Sequence, residues 1–189
     1  MKIASSLLFW LVSANLAISA EQYALDAAHS NLSFQVRHFA SSVTGKFSDF
    51  SGTVIFNRAQ PERSSVEATI QVQSVDTGIK DRDHHLLSAE FFDVQKFPAI
   101  TFKSTSVDRT GERTADVHGN LTMHGTTRPV LLHVELLPES NGASDSLHWK
   151  VTSSLKRKSF GLSWNALIEA SQAVGDDISI RMNIATPAR

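Results

Sequence analysis

From Tyr23 onward the chain alternates apolar and polar residues with the period of two expected of β-strands that have one face buried. Leu32, Phe34, Val36 and His38 fall on one face, with Ser33, Gln35 and Arg37 on the other. Val66, Ala68, Ile70 and Val72 repeat the pattern, as do Val117, Leu121 and Met123, then Val130, Leu132, Val134 and Leu136, then Leu147, Trp149, Val151 and Leu155. Further strands are predicted around Phe47 and Phe50 and over residues 52–56, 100–107, 162–170 and 178–184, with Gly45 and Gly52 as turn or bulge positions. Loops fall at residues 61–65, 108–112, 125–128 and 138–145. Strands this numerous and this evenly spaced predict an all-β antiparallel domain, a closed barrel or a sandwich.

One stretch breaks the alternation. Around residues 78–92, Ile79, Leu86 and Leu87 recur at helical spacing with Asp83 on the same stripe, which predicts a short amphipathic helix. Phe91 and Phe92 close it, and Pro98 ends the segment because proline disfavours helix in the residue before it. A helix between strands, carrying Arg82, Asp83 and His85 above an aromatic pair, has the makings of a lid. Burying the Asp83 carboxylate unpaired would be costly, so the stripe predicts a partner for it: Arg157, Arg82 or a histidine.

Composition narrows the function. The 189 residues, 41% of them apolar, can bury one core without demanding a second domain. A formal net charge of −1 offers no basic field for nucleic acid. With no cysteine there is no disulfide, thiol nucleophile or thiolate metal site. Residues 1–20 read as a secretory signal peptide, because Lys2 precedes an apolar run closed by Ala17, Ser19 and Ala20, and that run is too short and too polar for a membrane anchor of about 20 apolar residues. The mature domain is then residues 21–189, exported and, without disulfides, held by its hydrogen bonds and core.

Candidate chemistry is sparse. His38 and Arg157 each end an apolar strand face, which leaves either a strand that has reached solvent or a polar group at the rim of an apolar interior. An enzyme using His38, Asp83 and Arg157 as acid, base and anion stabiliser is the alternative to a binding protein. The histidines do not fall into a zinc pattern: His84 and His85 diverge on a helix, and His118, His124 and His133 lie opposite the apolar faces of their strands. The stretch Gly161-Leu162-Ser163-Trp164-Asn165 lacks the second glycine of a nucleophile elbow.

Several motifs, in order, resemble the YceI-like family of exported, lipocalin-like barrels. They are Tyr23, Asp26, His29-Ser30, Phe34 and His38; Gly45-x-Phe47 and Gly52; Arg82-Asp83-x-His85-Leu86, Phe91-Phe92-Asp93-Val94, Lys96-x-Pro98 and Phe102; Gly119-x-Leu121-Thr122-x-His124-Gly125; and Arg157-x-x-Phe160-Gly161 with Val174-Gly175-Asp176. Glu90 stands where the family pattern often has aspartate. The resemblance implies an antiparallel lipocalin-like barrel of about eight strands. It also implies an internal tunnel for a polyisoprenoid or other fatty amphiphile, with a periplasmic location and membranes or membrane proteins as transient donor and acceptor; no cofactor is expected and, from the scatter of the histidines, no metal. Whether the protein pairs as a homodimer stays open. Residues expected to form the site are Phe34, Val36, His38, Arg82, Asp83, His85, Phe91, Phe92, Trp149 and Arg157.

Overall fold

The computed structural model describes residues 20–138 and 146–187, so the predicted signal peptide and most of the predicted loop at 138–145 lie outside the described residues. Eleven strands form one antiparallel sheet: β1 (Glu21–Ala24), β2 (Asp26–His38), β3 (Ser41–Phe47), β4 (Phe50–Phe56), β5 (Ser65–Gln71), β6 (Val75–Asp76), β7 (Ala99–Arg109), β8 (Thr114–Met123), β9 (Thr126–Leu136), β10 (His148–Lys156) and β11 (Val174–Ala185). Their order is β1-β4-β5-β7-β8-β9-β10-β11-β2-β3-β6. The sheet curls into a half-barrel around an apolar cavity, with β1 and β6 at its two edges. The surplus over the eight strands expected includes the short pieces β1, of four residues, and β6, of two. Among the described residues no helix is long and apolar enough to cross a membrane.

Strand parity follows the hydrophobic pattern. Leu32, Phe34, Val36 and His38 of β2 face the cavity, as do Val66, Ala68 and Ile70 of β5, Val130, Leu132 and Val134 of β9, and Trp149, Val151 and Leu155 of β10. On β7 the parity changes. Ile100 and Phe102 face in, the register slips between Ser104 and Ser106, and Val107 then also faces in; without the bulge a period of two would turn it outward.

Gly45 and Gly52 are neither turns nor bulges. Each lies inside a paired strand, Gly45 opposite Phe34 and Gly52 opposite Ala68. Gly45 leaves room for the Phe34 ring, whose tip fills the space a Cβ would take. Gly119 of β8 makes the same allowance for the ring of Phe102, and there a methyl would also press the backbone oxygen of Lys103, at 2.7 Å. Thus two phenylalanines lie flat against the wall because the neighbouring strand carries no side chain at that point.

The helical insertion is α1 (Lys80–Leu87), followed by tight turns up to Pro98. Leu86 and Leu87 pack on the core, but Ile79 caps the helix and is 53% exposed, so the predicted stripe is only half realised.

Residues 162–170 do not form the predicted strand. The side chain of Asn165 accepts from the N–H groups of Leu167 and Ile168, both at 3.1 Å, and so starts a helix, α2 (Ala166–Ser171). Gln172 ends it in the left-handed conformation, φ 53°. Six residues are too few for a helix stable on its own, so tertiary contacts hold α2 in place.

Candidate functional site

The cavity measures about 820 Å³ and is lined almost wholly by aliphatic and aromatic side chains. That volume lies within the range of about 300–1,000 Å³ common to small-ligand sites. Of the ten residues expected from the sequence, nine line it: Phe34, Val36, His38, Arg82, His85, Phe91, Phe92, Trp149 and Arg157. Asp83 does not.

At one end the wall is completed by α1 and α2 instead of strands. His38, Phe39 and Val43 from the β2–β3 hairpin, Asp81, Arg82 and His85 from α1, and Ile168 from α2 line this end, which we call the mouth. Phe39 sits at the hairpin tip in a left-handed conformation, φ 51°, and is 65% exposed; an aromatic side chain held there bears backbone strain and little burial. Leu167 is 84% exposed. Beneath them Trp164 stacks on Phe91, ring centroids 4.4 Å apart, with the His85 ring at 4.7 Å. His85 also pairs with Glu90 at 2.9 Å, so the residue that departs from the family pattern has a partner of its own.

Asp83 is paired, but with none of the partners expected. Its Oδ1 accepts from the Thr77 backbone N–H at 3.0 Å and the Thr77 hydroxyl at 2.5 Å. Arg82 reaches the same residue from the other side, Nε donating to Thr77 Oγ1 at 2.7 Å and Nη2 to the Thr77 carbonyl at 2.8 Å. Consecutive side chains of opposite charge thus clip α1 to the segment that enters it.

Arg157 is 2% exposed and all its donors are used. Nε donates to the Gly175 carbonyl at 2.8 Å, Nη1 to the Leu162 carbonyl at 2.7 Å and to Glu169 Oε1 at 2.7 Å, and Nη2 to Glu169 Oε2 at 2.9 Å and the Val174 carbonyl at 3.2 Å. Two of these acceptors lie where the β2–β11 register is broken, between Val174 and Ile178, and the bulge leaves them free of the ladder. Glu169 is also bonded by the Trp164 N–H at 2.8 Å and paired with Lys158 at 2.6 Å. The Arg157 guanidinium, above all, holds the Glu169 carboxyl down at about 2, against the ordinary 4.5, and outweighs the opposing effect of burial. Arg157 is therefore a structural cation that pins α2.

Of the trio considered for catalysis, His38 and Arg157 line the cavity and Asp83 does not, its carboxylate being bonded to Thr77. The histidines are dispersed: His29 pairs with Asp26 at 2.7 Å, His118 with Asp108 at 3.0 Å and His133 with Asp116 at 2.7 Å. No group of three metal-ligating side chains comes together among the described residues. Sequence reasoning missed Thr77, Phe39, Trp164 and Glu169. For Trp164 and Glu169 the signal was present in Asn165, a helix-capping residue followed by Ala166-Leu167-Ile168-Glu169.

A curled antiparallel half-barrel around an apolar cavity, with helices over one end, has the lipocalin-like architecture. Within that class the chain belongs to the YceI-like family: residues 23–186 match the YceI-like domain. It is 38% identical over 169 residues to protein YceI of Salmonella newport, covering 87% of each chain, and 38% identical over 148 residues to a UPF0312 protein of Ectopseudomonas mendocina, covering 76% of this chain and 78% of that one. Among solved structures, BcnA of Burkholderia cenocepacia superposes with a TM-score of 0.77 at 26% identity, over 85% of this chain and 98% of that one. A polyisoprenoid binding domain from Saccharophagus degradans shares the fold, with a TM-score of 0.66 at 20% identity, over 88% and 98% of the two chains.

Proposed function

We propose that this protein is an exported carrier that holds a polyisoprenoid, or a similar long-chain amphiphile, inside the barrel. The carrying observation is the cavity: about 820 Å³ of space faced by apolar side chains in a protein with a full complement of strands. Its position in a family with a polyisoprenoid binding domain among its structural relatives supports the choice of guest. At roughly 0.3 kcal/mol per heavy atom, a buried tail of about 25 carbons contributes about 7–8 kcal/mol, enough for micromolar affinity without a charged head-group contact. The apolar run at residues 3–18 supports export to the periplasm. Protein purified from its native compartment should release an approximately stoichiometric long-chain isoprenoid on solvent extraction, detected by mass spectrometry. Protein that comes out free of lipid, and takes up none from vesicles, refutes the carrier.

Membranes as donor and acceptor are the natural counterpart, and the mouth is suited to them. Phe39 and Leu167 present large apolar side chains to water beside it, where they gain by entering a bilayer surface. The double variant Phe39→Ser/Leu167→Ser should keep its melting temperature within about 2 °C, since neither side chain is buried, while lipid transfer to vesicles slows by about tenfold or more. Unchanged transfer would show that the mouth does not touch the membrane.

A further inference from the structure

Opposite the mouth the cavity ends at one layer of side chains. On β10 the inward series Arg157, Leu155, Ser153, Val151 and Trp149 lines the cavity throughout and then stops. Leu147, next on that face, is 2% exposed and does not line it. The neighbouring strands stop at the same level. Trp149 stands in register with Leu136 of β9 and Ile184 of β11. On β9, Leu132 and Val134 line the cavity and Leu136 does not; together with Leu147 it borders a separate hollow on the other side of the layer. Two positions beyond Ile184, Thr186 is wholly buried and its hydroxyl accepts from the Leu147 N–H at 3.0 Å. Trp149 is thus the last ring the cavity meets. Its indole packs edge to face on Phe56, centroids 5.0 Å apart at 89°. The Arg58 guanidinium lies over the Phe56 ring at 5.5 Å, borders the separate hollow and pairs with Glu21 at 3.7 Å. Two aromatic rings backed by an anchored cation make the floor.

The direction of a guest follows from where the charges are. The ionisable side chains that line the cavity, His38, Asp81, Arg82, His85 and Arg157, all stand at the mouth end. A polar head group is least costly to keep there, so the tail points at the floor. We propose that Trp149 is the specificity-determining residue for tail length: the tail ends against its ring, and its position sets the longest tail the protein can shelter. This rests on the lipid-carrier reading. Trp149 and Arg157 stand eight positions apart along the strand direction of β10, roughly 25 Å at strand spacing. A strand tilt of about 40° brings this to about 20 Å along the axis. An extended isoprene unit covers four carbon–carbon bonds, about 5 Å, so a tail of about four to five units reaches from mouth to floor. No group of the fold is bonded to the Trp149 indole N–H, so shortening this side chain strands no hydrogen-bond partner.

The test incubates delipidated protein with phosphatidylcholine vesicles holding equal amounts of C15 to C45 polyprenols, and native mass spectrometry reads the lengths retained. Wild type should retain tails up to about C25 and discriminate against each further unit by about tenfold or more, because that unit is left in water. Trp149→Ala should raise the limit by about one unit, the space of the lost indole being of that order. If that variant does not fold, Trp149→Leu makes the same test with a smaller gap. Val151→Phe places a ring one layer nearer the mouth on the same face and should lower the limit by about one unit. A purely structural role for Trp149 would change the melting temperature and leave the limit where it was. Retention of all lengths alike by wild type, a limit unmoved by a folded Trp149 variant, or one that falls when Trp149 is shortened overturns the assignment. Retention of no polyprenol of any length by wild type would instead remove the carrier reading on which it rests.

Discussion

Glu169→Ala is expected to lower the melting temperature by on the order of 10 °C, because it strands a guanidinium that is 2% exposed. Breaking a buried pair by removing one partner typically costs about 3–5 kcal/mol, the greater part being the uncompensated charge. The effect should be local as well as global. Without Glu169, the six residues of α2 lose the contact that ties them to Arg157 and Lys158 just past the end of β10 and, through Arg157, to β11, and Trp164 loses the acceptor for its backbone N–H. Lipid retention should fall with stability. The pH dependence has a definite sign: Glu169 is depressed from 4.5 to about 2. Its contribution is therefore present in full above pH 4.5 and is lost as pH falls towards 2. The shift corresponds to about 3 kcal/mol, the same order as the loss expected of the mutation. Urea melts at pH 7, 4 and 2.5 should show wild type losing stability across this window and Glu169→Gln losing less. A Glu169→Ala protein that melts with wild type at pH 7 would show that α2 is held by something else.

Val36→Trp tests the cavity from the opposite direction, by filling it. Val36 lies in register with Val43 on one side and Ile178 on the other, and all three line the cavity. In a packed core such an enlargement costs about 1–3 kcal/mol through overpacking. Here the indole has open space ahead of it and occupies the volume a ligand tail would use. The variant should fold, keep its β-sheet circular dichroism, melt close to wild type and lose nearly all bound lipid. Unfolding would indicate a filled interior, and a folded protein with its full lipid load would place the guest elsewhere.

The barrel was legible in the sequence because a sheet with one buried face writes its register as a period of two. On β2, β5, β9 and β10 that parity alone identifies the wall. Where short-range chemistry overrides the pattern, legibility ended. Residues 162–170 are apolar enough to pass for a strand, and a single cap, Asn165, turns them into a helix. With that helix misread, Glu169 could not be found as the partner of Arg157, which lines the cavity as expected while its five donors are bonded within the fold. Asp83 was expected to be paired, and it is, but its partner Thr77 is uncharged and was outside the charged and histidine candidates considered. Gly45 and Gly52 were read as turn or bulge positions, which is their commonest role in strands. Their actual role depends on what stands on the adjacent strand, and one strand read alone does not carry that.

The pairing of Gly45 with Phe34, and of Gly119 with the Phe102 ring, means that the bore of this barrel is set partly by residues that contribute no atom to it. A wall glycine works as a parking bay for an aromatic ring. Adding one methyl group at Gly45 evicts the Phe34 ring from its bay, and the side of Phe34 left unobstructed is the cavity. The bore beside Phe34 can therefore be narrowed by a glycine-to-alanine exchange on the strand next door, with every side chain that lines the cavity unchanged.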